Sequence, residues 1–157
     1  MQPRILGLTT LALLLWAWAA APVCWASPKE QAVENLVNQA VALIEKQGAP
    51  ALEEFSQPNS RWFNDQAALF IFDEQGTELV NPTFPDLVGR NLWDLQDSTG
   101  RYPARLELEL VKTQGGGWMD GRWAKPQGGP EAKTRNYVKG ARLGQRLLVV
   151  GSWYYVD

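Results

Sequence analysis

The sequence predicts an α+β domain in which an antiparallel sheet is backed by one long N-terminal helix. Three observations predict it. Residues 28–47 place apolar side chains at three- and four-residue spacing behind a capping signal. Residues 67–80 read as an apolar hairpin, and three strand-like segments separated by glycine-containing turns follow residue 117.

Residues 1–26 are set aside first, because they read as an export signal. Arg4 supplies a positive n-region, and residues 5–21 form an uncharged apolar run interrupted only by Gly7, Thr9 and Thr10. Pro22 breaks that run ahead of Cys24-Trp25-Ala26, which offers small residues at the two positions a signal peptidase reads. Cleavage is expected after Ala26, giving a periplasmic or secreted domain of residues 27–157. Two alternatives stand beside it. The run of roughly 17 residues is near the lower length for a retained anchor, which would be the only membrane contact. Cys24 would be acylated in a lipoprotein, although Val23 stands before it where such proteins carry a small residue.

The first element of the mature chain starts at Ser27-Pro28-Lys29-Glu30: a serine cap, proline in the first turn, and glutamate three residues on to close a capping box. Ala32, Val33, Leu36, Val37, Ala40, Leu43 and Ile44 make one apolar stripe, so a helix runs to about Gln47 with Gly48 as its C-cap. Residues 51–55 add a short helical turn before the loop Pro58-Asn59-Ser60. Ala67-Ala68-Leu69-Phe70-Ile71-Phe72, the turn Asp73-Glu74-Gln75-Gly76 and Thr77-Glu78-Leu79-Val80 form the hairpin.

Residues 81–100 are rich in Pro, Asp, Asn and Gly without a sustained period, which predicts a long ordered loop anchored by Leu87, Val88, Leu92, Trp93 and Leu95. Residues 101–113 are ambiguous. Leu106, Leu108 and Leu110 alternate as in a strand, whereas leucine, glutamate and lysine favour helix. Gly115-Gly116-Gly117 ends that element, and strands are expected over 118–124, 133–141 and 146–156, the first two joined by the turn-forming stretch 125–130.

About 130 mature residues form one domain with a core. The 15 basic residues include Arg4 of the leader, leaving 14 against 17 acidic, a mildly negative balance that argues against a nucleic-acid partner. Histidine is absent and the one cysteine lies in the leader, which removes disulfides, histidine triads, thiol nucleophiles and ordinary zinc sites. Asp94, Asp97 and Asp120 are the carboxylates available for acid–base work, but each stands beside a turn or glycine, where aspartate bonds its own backbone. The reading is therefore a non-enzyme with no metal and no cofactor.

The chain resembles the single-Cache family of extracytoplasmic sensor domains, in its second subtype. The resemblance rests on Leu69-Phe70-Ile71-Phe72-Asp73-Glu74-Gln75-Gly76, Asn81-Pro82, Val88-Gly89-Arg90-Asn91-Leu92 and Asp97-Ser98-Thr99-Gly100, in that order. It continues through Gly116-Gly117-Trp118-Met119-Asp120-Gly121-Arg122-Trp123, Tyr137-Val138-Lys139 and residues 150–157. It implies a PAS-like curved sheet of about five or six antiparallel strands, a helix over 101–113, and a pocket on the side away from the long helix, closed by the long loop. The ligand it implies is a small organic molecule, often a short carboxylic acid, and the partner a membrane receptor or kinase. Asn81 stands where many relatives have histidine before proline, and the sequence stops where receptors enter a second span, so no output domain of its own is expected.

Cations and aromatics together supply the candidate ligand-binding set: Trp118, Arg122, Trp123, Lys133, Arg135, Tyr137, Lys139 and Tyr154. Trp118 and Arg122 share one strand face, as do Arg135, Tyr137 and Lys139. Two cations around a tyrosine suit a carboxylate held against an aromatic wall. The expected function is sensing of a short organic acid or similar metabolite. A protein-interaction module of the envelope and a sugar-binding module stacking rings on Trp118 or Trp123 are the alternatives.

Overall fold

The computed structural model describes residues 26–57, 60–63, 68–126 and 128–156 of the 157-residue chain. The expected export signal and the Pro58-Asn59 turn lie outside the described residues.

Helix α1 spans Pro28–Gln47 and begins where the sequence places it. Ser27 Oγ accepts from the Glu30 N–H at 3.2 Å while the Glu30 carboxylate accepts from the Ser27 N–H at 2.8 Å, so the capping box satisfies two amides that the helix cannot. Its apolar stripe buries Val33, Val37, Ala40, Val41 and Ile44. A short helix α2, Pro50–Phe55, then sets the Phe55 ring edge-on to Trp62 at 4.7 Å.

Five strands form one antiparallel sheet in the order β2-β1-β5-β4-β3. They are β1 Leu69–Asp73, β2 Glu78–Val80, β3 Gly116–Trp123, β4 Ala132–Leu143 and β5 Arg146–Tyr155. All five residues of β1 are buried, because the sheet is covered on both faces. Leu69 and Ile71 join Val37, Ile44, Leu148 and Val150 in a core under α1. Phe70 and Phe72 join Leu108, Val111, Val138, Val149 and Trp153 in a second core on the opposite face. A strand buried on both sides has no reason to alternate, which accounts for its unbroken apolar run.

The ambiguous stretch is helix α3, Pro103–Gln114. Proline occupies its first turn, and Gly115, at φ 79°, ends it in the left-handed conformation. Ala104, Glu107, Leu108 and Val111 face the sheet at helical spacing, whereas Leu106 is 43% exposed, so the alternating leucines do not share a face. Strand β3 starts at Gly116, two residues before the expected position. Residues 81–100 are a loop with a single 3₁₀ turn at Pro85–Leu87.

Central strand β5 carries Gly151 directly beneath the Phe70 ring, and a Cβ there would collide with it. Gly151→Val must displace Phe70 and is expected to cost about 1–3 kcal/mol. The check is the denaturant midpoint, which falls without a change in slope if the fold is kept.

Candidate functional site

Between the β1–β5–β4 face, helix α3 and the loop 81–100 lies a cavity of about 50 Å³, enough for a few water-sized groups. Its walls are apolar: Phe70, Phe72, Leu92, Ala104, Trp123 and Trp153. The loop supplies the roof. Phe84 stacks over Trp153 at 6.3 Å and meets Trp123 edge-on at 6.1 Å. Thr77 and Asn91 form an isolated antiparallel bridge, flanked by bonds from Leu92 N to Gly76 O and from Glu78 N to Arg90 O, so the loop returns alongside β2.

Side chains tie the loop to the rest of the domain. Arg105 of α3 donates to the Trp93 carbonyl at 2.8 Å, pairs with Asp94, and lies 4.0 Å over the Tyr102 ring. Ser98 accepts from Arg122 Nε at 2.9 Å, and its N–H donates to Glu131 at 2.7 Å. Asp97 is the hub of the Asp97-Ser98-Thr99-Gly100 turn. Burial alone would raise its pKa, but donors from Thr99 and Arg101 outweigh that and hold it down to about 2. The aspartate is structural, bonding its own loop as the sequence expects.

The polar part of the cavity is acidic. Glu78 of β2 is 1% exposed and accepts from Asn81 Nδ2 at 2.9 Å; Glu107 of α3 is 4% exposed and accepts from Asn136 Nδ2 at 3.1 Å. Burial pushes Glu78 up to about 8 against the pull of Asn81, with the nearby Glu107 charge adding to the rise. Burial likewise raises Glu107 to about 7 despite Asn136. Glu78 therefore keeps its proton through neutral pH, and Glu107 gives its proton up around neutral pH.

The amino-acid sequence that builds this sheet, helix and cavity matches a family model, dCache_2, described as a Cache domain, over residues 28–157. The chain belongs to the Cache domain family. Cache domains are extracytoplasmic sensory modules that bind small molecules, not enzymes. Three solved structures share the fold of this Cache domain. A periplasmic sensor domain of a chemotaxis protein aligns with TM-score 0.63 and 24% identity over 82% of this chain and 90% of its own. A structure titled for carboxylic acid recognition by a Cache chemosensory domain gives TM-score 0.69 and 24% identity over 82% and 94%. A methyl-accepting chemotaxis protein from Vibrio parahaemolyticus RIMD 2210633 gives 0.64 and 20% over 82% and 89%. No curated protein sequence matches the chain. No helix among the described residues is long and apolar enough to cross a membrane.

Of the residues expected to bind ligand, this Cache domain brings Arg122 and Trp123 to the cavity. The Arg122 guanidinium is held at the rim by Ser98 and the Glu131 carbonyl. The others gather on the α1 side of the sheet. Trp118 lies 5.1 Å from Tyr137 and 6.3 Å from Tyr154, Arg135 is over Trp118 and paired with Asp120, and Lys139 donates to Asn38 of α1 at 2.7 Å. Lys133 is exposed, opposite Arg122 in the register. Along β4 odd positions face α1, and even ones, Asn136 and Val138, face α3. Arg122, which has the same parity as Trp118, reaches the cavity rim from the edge strand β3 rather than by alternation.

Sequence reasoning passed over Glu78, Glu107, Asn136 and Trp153 as cavity residues, and singled out Asn81 only as a departure from the family pattern. A signal existed for Glu107, which sits among Ala104, Leu108 and Val111 on the apolar stripe of α3, where a solvated glutamate does not belong.

A carboxyl that holds its proton more tightly when folded contributes stability that is complete below its ordinary pKa of 4.5 and is lost as pH rises through the folded values. The ligand-free protein is expected to lose on the order of 6 kcal/mol of stability between about pH 5 and about pH 9. Denaturation across that range checks this, and Glu107→Gln or Glu78→Gln is expected to flatten the slope.

Proposed function

We propose that this Cache domain is exported through its N-terminal signal and serves, outside the cytoplasm, as the sensory module for a small organic molecule seated between the sheet, α3 and the loop 81–100. The observation that carries the proposal is the cavity itself: the face under α1 carries an apolar core around Val37, Ile44 and Ile71, whereas the opposite face keeps a cavity walled by Phe70, Trp123 and Trp153. Trp123 and Arg122 are the expected contacts retained there, Trp123 as wall and Arg122 as a rim cation. A ligand carboxylate would find one cation at this rim, Arg122, since Arg101 is paired with Asp97.

Signalling follows from the roof. Asn81, Leu92, Leu95 and Asp97 of the loop all line the cavity, so a ligand contacts the same segment that Arg105 and Arg122 tie down. A ligand that favours the closed loop shifts its population in proportion to that preference, and a membrane receptor or kinase partner would read the change. Glu131, which accepts from the Ser98 amide, links the loop to the start of β4.

A thermal-shift panel of short carboxylates, amines, alcohols and sugars tests this reading. A ligand at about a hundred times its Kd stabilises by roughly 2.7 kcal/mol. At least one compound is expected to raise the melting temperature, and Ala104→Leu, which fills the cavity, is expected to abolish that rise. A panel without effect, or a shift that survives Ala104→Leu, overturns the proposal.

A further inference from the structure

The chemistry of the cavity's polar end selects among small molecules. Glu78 and Glu107 come from different elements, yet each is more than nine-tenths buried and both line one cavity. Among the described residues neither carboxyl pairs with lysine or arginine, and each has one asparagine N–H as its hydrogen-bond donor. The other charged groups lining the cavity are engaged elsewhere. Asp97 of the loop and Arg101 pair with each other at 2.9 Å, Asp120 of β3 pairs with Arg135, and Arg122 donates to the Ser98 hydroxyl and the Glu131 backbone carbonyl.

Two buried carboxyls with no cation are costly. A further acceptor lies beside Glu107: Asn136 Oδ1, on the amide that donates to Glu107, is a buried atom with no hydrogen-bond partner among the described residues, and Asn136 lines the cavity. Phe70, Phe72 and Trp153 line the same cavity. Buried acceptors beside aromatic rings are the chemistry an organic cation needs. No group of three or more metal-ligating acids exists among the described residues, and a calcium or magnesium ion asks for six or more oxygens.

We propose that the cavity recognises a small organic ammonium, a primary or N-methylated amine on a short apolar body, with its nitrogen between Glu78 and Glu107 and its carbons against Phe70 and Trp153. This rests on the ligand-binding reading above and specifies the ligand's charge. A cation at that point favours ionised carboxylates, so binding releases protons near neutral pH and tightens as pH rises while the alkylammonium stays charged.

Isobutylammonium, isobutyrate and isobutyramide share a branched body and differ in charge. They are titrated into the protein by calorimetry in two buffers of different ionisation enthalpy. The ammonium is expected to bind about tenfold or more tighter than the other two, to release protons, and to gain about tenfold between about pH 6 and about pH 8.5. Glu78→Gln and Glu107→Gln, which keep shape and remove charge, are each expected to weaken it about tenfold or more. Preference for isobutyrate or isobutyramide, or ammonium binding indifferent to pH and to both substitutions, overturns this inference and leaves the ligand-binding reading standing. Binding by none of the three overturns it as well, and with a panel that gives no shift the ligand-binding reading falls too.

Discussion

A sheet buried on both faces but covered unequally is the constraint from which the rest follows. On one side the 20-residue α1 lays a continuous stripe over β4 and β5, and the core there closes on itself around Ile44, Ile71 and Val150. On the other side the 12-residue α3 reaches only part of the sheet. The remainder must be roofed by the loop 81–100, and a loop brings backbone and polar turns rather than an apolar stripe, so the fit is incomplete. The cavity is what remains when a short helix and a loop share the work that one long helix does alone.

The roof holds because its polar groups are satisfied locally. Asp97 gathers donors from Thr99 and Arg101, Asn81 accepts from the Phe84 N–H, and Arg105 spans Trp93, Asp94 and Tyr102. These contacts are short-range and solvent-facing in part, which sets them apart from the packed α1 core. An element held by such bonds opens at lower free energy than one held by burial. That difference places the half held by polar turns over the cavity and the half held by apolar burial behind it.

Into the incompletely packed side the chain puts two glutamates, the reverse of what stability alone favours. Filled with leucine, the space would add apolar burial; with Glu78 and Glu107 it carries desolvated acids whose proton affinity rises. Local departures of this kind mark sites where packing yields to function. Asn81 fits the pattern, since its side chain both steadies Glu78 and starts the loop.

The sequence by itself determined the elements that depend on near neighbours: the capping box at Ser27 and Glu30, the stripe of α1, the hairpin around Gly76, the loop chemistry of Asp97, and the family, through motifs spaced along the chain. Local pattern left residues 101–113 open, because alternating leucines and helix formers give the same letters to two periods, and only the family resemblance made them a helix, as the structure has them. Tertiary structure decided the site. Strand alternation states which residues share a face but not which face meets α1, and so Tyr137 and Lys139 fell on the packed side while Asn136 reached the cavity. Glu78 and Glu107 lie 29 positions apart in the chain. Their meeting follows from how α3 crosses the sheet, a long-range packing relation that no local pattern encodes.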